Sequence, residues 1–162
     1  MAIKRIRVYD MDGTIVCSLH RYKTRIREDG KEVIDLAYWR ENEKLAYNDG
    51  FLPLVETYRA DLADPECFTV IATARVLNGP DYAFIADKLG MPDHIISRKD
   101  GDTRSGGLLK VLGLRRLLSL CQFKGISDMV FFEDNKDYLR AVVDAFYDRG
   151  MRGVYIPSRQ GH

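Results

Sequence analysis

An α/β fold, with a parallel sheet of about five strands and helices on both faces, is predicted by three features of this 162-residue sequence. Short apolar runs alternate along the chain with segments of helical periodicity, the pattern of strand–helix–strand units. Turn residues separate the two kinds of segment, as in Asp49-Gly50, Asn78-Gly79-Pro80 and Gly150. Several apolar runs also end abruptly in polar side chains, and ligands of open α/β sheets bind at the carboxyl ends of the strands.

The first run, Ile6-Arg7-Val8-Tyr9, ends in Asp10-Met11-Asp12-Gly13-Thr14. Two carboxylates so close repel each other unless a cation lies between them or one keeps its proton. Either solution has a chemical use: a Mg²⁺ site, or a nucleophile beside a general acid. An Asp- and Gly-rich turn without function has the same composition, so the remaining strand ends decide between the readings.

Residues 22–34 follow, with Asp29-Gly30 between two alternating arms, the signature of a β-hairpin. Arg21, Lys23, Arg25 and Arg27 alternate on its first arm and would share one face. That face is either solvated or, as a flap beside the acid pair, turned toward an anionic substrate. Asp35 is placed to cap a helix to about residue 48, burying Leu36, Trp39, Leu45 and Ala46. Trp39 and Tyr47 are read as core or lid residues. A second helix is expected from Pro53 to Leu62. This helical insert, residues 36–63, leaves room for at most a small cap. The next buried strand, residues 68–73, ends in Thr73-Ala74-Arg75. A hydroxyl there, flanked by backbone N–H groups, suits a phosphoryl oxygen. A helix over residues 81–89 stops at Gly90.

A short third strand, residues 94–97, leads into a basic stretch. Between Arg98 and Arg116 six cations face two acids, a local excess of +4 in a chain of net charge +1. Ser105-Gly106-Gly107 opens a helix with Leu108, Leu109, Leu112, Leu117 and Leu118 on a broad apolar face. Lys110 then lies near a helix N-terminus, where a cation is disfavoured without an anionic partner. The fourth strand, residues 128–133, again ends in acids, Glu133 and Asp134. A helix over residues 136–148 buries Ala141, Val142, Ala145 and Phe146. A last strand over residues 153–156 and a tail from Pro157 to the non-catalytic His162 complete the chain. His20 reads as a flap or substrate contact and His94 as structural.

An apolar fraction of 46% and a charged fraction of 30% describe a soluble globular chain, expected as a single domain over residues 1–162. Three scattered cysteines (Cys17, Cys67, Cys121) form no C-x-x-C pair and suggest buried, reduced thiols in a cytoplasmic protein. The N-terminal charges are followed by no long apolar run, which argues against a signal peptide, and nothing indicates a membrane span.

The ordered set Asp10/Asp12, Thr73, Lys110 and Glu133/Asp134, each following a strand, resembles the haloacid dehalogenase (HAD) superfamily of phosphotransferases over essentially the whole length. The stretch Arg98-x-x-Gly101-Asp102-x-Arg104 before Lys110 is similar to the phosphatase half of phage polynucleotide kinase–phosphatase, as is the segment from Phe132 onward. Thr73-Ala74-Arg75 stands where that domain has Ser-Gly-Arg, and Glu133-Asp134 where it has an Asp pair. No G-x-x-x-x-G-K-[ST] loop is present, so this chain carries no kinase domain. The resemblance implies a Rossmann-like sheet, a hairpin flap and a small or absent cap. It also implies Mg²⁺ held by Asp10, the Asp12 carbonyl and Asp134, with Glu133 orienting a bound water. Asp10 would be the nucleophile forming an aspartyl-phosphate, Asp12 the general acid and base, and Thr73 and Lys110 the phosphoryl-oxygen ligands. Arg75, Arg98 and Arg104, with Gly13 and Thr14, are the candidate substrate contacts.

The expected substrate is a phosphate monoester of a nucleic-acid end or nucleotide, with a 3′-phosphate end foremost. A 5′-nucleotidase or sugar phosphatase on the same fold is the first alternative. A non-catalytic module binding nucleic-acid ends is the second.

Overall fold

Ile6 and Val8 on β1 (Arg5–Tyr9), Val70, Ile71 and Ala72 on β6 (Cys67–Val76), and Met129 and Phe131 on β8 (Asp128–Glu133) have no solvent exposure. Strands covered on both faces belong in the middle of a parallel sheet. The computed structural model, which describes residues 2–157, places them there. With β7 (His94–Arg98) and β9 (Met151–Tyr155) at the edges, the order is β7-β6-β1-β8-β9, all neighbours parallel. This is the five-stranded α/β sheet expected from the sequence. The tail beyond Pro157, with His162, lies outside the described residues, as does Met1.

Helices cover both faces. On one, Leu114, Leu117 and Leu118 of α4 (Gly106–Leu118) and Val142 and Phe146 of α5 (Lys136–Phe146) pack on Val8, Ala72 and Phe131. On the other, Val55 and Tyr58 of α2 (Val55–Ala63) and Phe84 of α3 (Gly79–Phe84), with Ile85 and Leu89 in the π turn that continues it, pack on Tyr9 and Ile71. Leu108 and Leu112 were expected in the α4 core face but stay 45% and 37% exposed. They share a face one turn apart that points away from the sheet. Ala145 of α5 is likewise exposed.

The insert between β1 and α2 departs most from expectation. Short β2 (Val16–Cys17) pairs antiparallel with β5 (Gly50–Phe51), tying the two ends of the insert together. The hairpin is β3 (Thr24–Ile26) with β4 (Glu32–Ile34). Asp35 caps α1 (Leu36–Glu41), its Oδ1 accepting from Tyr38 N at 3.1 Å. The helix ends early because the Asn42 side-chain amide donates to Tyr38 O at 2.7 Å, and residues Glu43–Asn48 continue as a 3₁₀ helix. Leu36 is exposed there and Ala46 buried. Of the cysteines, Cys67 is buried, Cys17 half-buried and Cys121 exposed, so only one fits the expected buried thiol. Among the described residues no helix is long and apolar enough to cross a membrane.

Candidate active site

β1 and β8 are neighbours in register, Tyr9 opposite Phe132, and Asp10 N donates to Phe132 O at 3.0 Å. The next side chains along each strand, Asp10 on one and Glu133 and Asp134 on the other, therefore emerge side by side at the carboxyl edge. Their carboxylate oxygens lie within 4.8 Å of one another, and all three residues are buried. From the opposite side Lys110 Nζ, fully buried on α4, donates to Asp10 Oδ1 at 2.8 Å and to Glu133 Oε1. Ser105 caps α4 by accepting from Leu108 N at 3.2 Å. A Cβ on Gly106 would meet the Tyr138 ring at 2.6 Å. Glycine in this turn lets α4 close on α5 and brings Lys110 to the acids.

Burial disfavours charge on all three acids, but Lys110 and hydrogen bonds from Glu133 and Asp134 outweigh it at Asp10, whose pKa is lowered. The cost falls on the other two. Burial, then the Asp10 charge, pushes Glu133 up to about 10 and Asp134 up to about 8. The Asp10 and Glu133 carboxylates overcome burial at Lys110 and raise its pKa. Glu133 Oε2 accepts from Asp134 N at 3.0 Å, whereas Asp134 Oδ2 is buried without any hydrogen-bond partner. A buried orphan oxygen among three hard carboxylate donors is what a divalent cation satisfies, so Asp10, Glu133 and Asp134 fit Mg²⁺. Thr14 Oγ1 supports Asp10 by donating to Oδ2 at 3.0 Å, and Gly13 turns the chain with φ of 81°. Neither is placed as a substrate ligand by these contacts.

Asp12 points elsewhere. Its Oδ2 accepts from Arg75 Nε at 3.0 Å and its Oδ1 from Arg75 Nη2 and from Ser18 Oγ, the last at 3.1 Å. Thr73 and Arg75 occupy the stretch of β6 where its register with β7 shifts, between Ala72 and Val76. Two residues apart on one strand, both side chains fall on the same face. Thr73 is buried, and its Oγ1 accepts from Arg75 N at 3.1 Å.

Arg75 was expected to face substrate. Its guanidinium is instead buried and shared by Asp12, Asp81 and Asp49, the last two at 2.5 and 3.2 Å. These charges outweigh burial and raise its pKa. Arg98 donates to the carbonyls of Ala74, Asp102 and Arg104 at 2.8, 2.7 and 2.6 Å, fastening the 99–105 loop to β6. Arg104 lies exposed and forks onto Asp102, whose pKa falls to about 2 through that hydrogen-bonded pair.

A cavity of about 700 Å³ lies over these groups. Asp10, Asp12, Thr73, Glu133 and Asp134 form its floor, and the insert forms a wall in which the apolar Tyr22, Val33, Ile34, Leu36 and Trp39 stand with the charged Glu32, Arg40 and Glu43. The expected basic flap face does not line it. Lys23, Arg25 and Arg27 are exposed, and none of them is among its lining residues. Arg21 is not on the strand at all. It sits in the 3₁₀ turn Leu19–Arg21, 1% exposed, with its Nε and Nη2 on Asp49 Oδ1 and Oδ2 at 2.8 and 2.9 Å. His20 Nε2 joins Asp49 Oδ1 at 2.8 Å, and His20 is not among the residues lining the cavity. Sequence reasoning placed Arg21 on the hairpin face and not in a buried network, and it did not single out Asp49 or Asp81 as site residues. Their only local signals were those of a charged hairpin arm, a helix stop and a helix start.

A family model described as bacteriophage T5 5′-deoxynucleotidase matches residues 1–100. The 5′-deoxynucleotidase of Escherichia phage T5 is 31% identical over 86 residues, 51% of this chain and 34% of that protein. The matched part thus spans about a third of that relative's length. Among solved structures, the Pnkp1/Rnl/Hen1 RNA repair complex aligns over 95% of this chain and 42% of the matched chain, with TM-score 0.60 and 16% identity. The HAD domain of the effector protein Lem4 from Legionella pneumophila aligns over 99% of this chain and 91% of its own, with TM-score 0.61 and 13% identity. At such identities the structural likenesses speak for the fold, while the sequence matches speak for descent. The chain has the haloacid dehalogenase fold and belongs to the bacteriophage T5 5′-deoxynucleotidase family.

Proposed function

We propose that this protein is a Mg²⁺-dependent phosphomonoesterase that releases phosphate from nucleoside monophosphates through an aspartyl-phosphate on Asp10. The observation that carries the reading is the Asp10 carboxylate, favoured in its ionised form by Lys110 at 2.8 Å and held by the Thr14 hydroxyl at 3.0 Å, at the floor of a cavity. An ionised, held carboxylate is a nucleophile for phosphorus. Asp10 attacks, the ester oxygen leaves, and Asp12 supplies the leaving oxygen with a proton; Asp12 then takes a proton from the water that hydrolyses the acyl phosphate. Lys110 and Thr73 steady the oxygens of the transferring group. A divalent cation bound by Asp10, Glu133 and Asp134 supplies charge neutralisation between carboxylate and phosphate.

The nucleotide assignment rests on the family and on the aromatic and aliphatic side chains of the wall, Tyr22, Val33, Ile34, Leu36 and Trp39, which suit a base. The flap cations, absent from the cavity lining, remove one motive for preferring a polynucleotide 3′ end. Arg98, engaged with backbone carbonyls, and Arg104, paired with Asp102, serve the loop at the cavity mouth. Phosphate release from a deoxynucleoside 5′-monophosphate, a 3′-phosphorylated oligonucleotide and a sugar phosphate, each with and without Mg²⁺, tests the proposal. The expected order has the mononucleotide first and no turnover without metal. A preference for the oligonucleotide end, with steep salt dependence, reverses the substrate assignment.

A further inference from the structure

Three carboxylates, Asp12, Asp49 and Asp81, converge on the Arg75 guanidinium, and a second buried arginine, Arg21, closes the ring through Asp49. Arg21 also approaches Asp81 at 3.9 Å and lies over the Trp39 ring, 4.1 Å from its centroid. Asp49, Arg21 and Trp39 belong to the insert, Asp12 and Arg75 to the ends of β1 and β6. Stability alone is a weak account of such a cluster, because buried ion pairs barely offset their desolvation and apolar replacements often do as well. What the cluster fixes is direction. Asp81 anchors Nη1 of Arg75 and is itself held by Asn78 N at 2.8 Å, at the start of α3. Asp49, with no side-chain exposure, holds Nη2. The remaining fork, Nε with Nη2, then has one orientation, and it sets the plane of the Asp12 carboxyl.

We propose that Asp49 is a positioning residue for proton transfer: through Arg75 it aims Asp12, so that seating of the insert and delivery of the leaving-group proton are one event. The inference rests on Asp12 being the general acid. In that step the ester P–O bond breaks with its electron pair on the leaving oxygen, which takes the Asp12 proton and departs as the alcohol, leaving Asp12 as a carboxylate.

The test compares, in the first turnover, release of the alcohol from a deoxynucleoside 5′-monophosphate, whose alkoxide needs the proton, with release of the phenol from p-nitrophenyl phosphate, whose phenolate does not. The later hydrolysis of the aspartyl-phosphate, which Asp12 serves as base for both esters, follows that release. Asp12→Asn is measured first. A loss confined to the nucleotide supports the assignment on which the inference rests, and equal losses on both esters overturn that assignment itself. Asp49→Asn, which keeps the side chain's shape, is expected to give a milder form of the same split. Its first-turnover rate on the nucleotide falls about ten- to a hundredfold, part of the ~10²–10⁴ a positioned acid supplies, with KM and the first-turnover rate on the aryl ester within about threefold. Equal losses on both esters, or an unchanged nucleotide rate, overturn the role of Asp49. Should Asp49→Asn fail to fold by thermal melting, Arg21→Lys, which keeps the charge but lacks the fork onto Asp49, is judged by the same ratio of the two rates.

Discussion

Lys110 Nζ lies 2.8 Å from Asp10 Oδ1, joining residues a hundred positions apart in sequence. The same ammonium reaches Glu133 on the neighbouring strand. One buried cation thus neutralises part of a three-carboxylate cluster, and Lys110→Met should expose its role. Removing one partner of a buried pair strands the others, at a cost of about 3–5 kcal/mol. With roughly 2–4 °C per kcal/mol for a chain of this size, calorimetry without metal should show a midpoint lowered by about 6–20 °C. Phosphate release should be lost at any Mg²⁺ concentration.

Metal and proton compete for the same oxygens. Asp134, raised to about 8, and Glu133, raised to about 10, hold protons in the metal-free fold that the unfolded chain has already released at neutral pH. A raised carboxyl pKa favours the fold at low pH, and that contribution is lost as pH rises through the folded value. The metal-free midpoint should therefore fall between about pH 4 and pH 8, continuing toward pH 10, with the largest stabilisation by Mg²⁺ at the alkaline end. Thermal melts with chelator and with Mg²⁺ across this range check it. A Mg²⁺ effect that shrinks as pH rises contradicts the site.

Asp10→Asn should bind Mg²⁺ weakly and release no phosphate, while retaining its circular dichroism spectrum. Wild-type turnover by the folded variant removes the nucleophile assignment.

Gly106→Ala places a methyl 2.6 Å from the Tyr138 ring, where the backbone of α4 or the ring itself has to yield. Overpacking of this kind costs about 1–3 kcal/mol. Activity should fall with stability, because Lys110 rides on the same helix. Adding Tyr138→Leu should recover much of the melting temperature, and failure to do so locates the strain elsewhere.

The strand ends were legible because the period of each apolar run and the residue that stops it are adjacent in sequence. Asp10, Thr73 and Glu133 announce themselves this way, and Lys110 does so through its awkward place near a helix start. Arg21, Asp49 and Asp81 do not. Their partners lie 26–28 residues apart for Arg75–Asp49 and Arg21–Asp49, across an insert whose path no local pattern specifies. Arg21 fits the alternation of the hairpin arm, yet the 3₁₀ turn Leu19–Arg21 ends before the strand begins and turns its side chain inward. Arg75 shows the converse limit. Its residue type suggested phosphate, and only the folded chain shows the guanidinium already claimed by carboxylates.

The β2–β5 pairing closes the insert at its base, so the wall it gives the cavity is one contiguous cassette set over the strand ends that form the cavity floor. Such an arrangement permits the shape of the wall to diverge by exchange of that cassette while the acidic floor is inherited intact. The exchange has one condition written into the buried network. A transplanted cassette that lacks the equivalents of Arg21 and Asp49 would arrive with its walls in place and the Arg75 guanidinium half unclaimed.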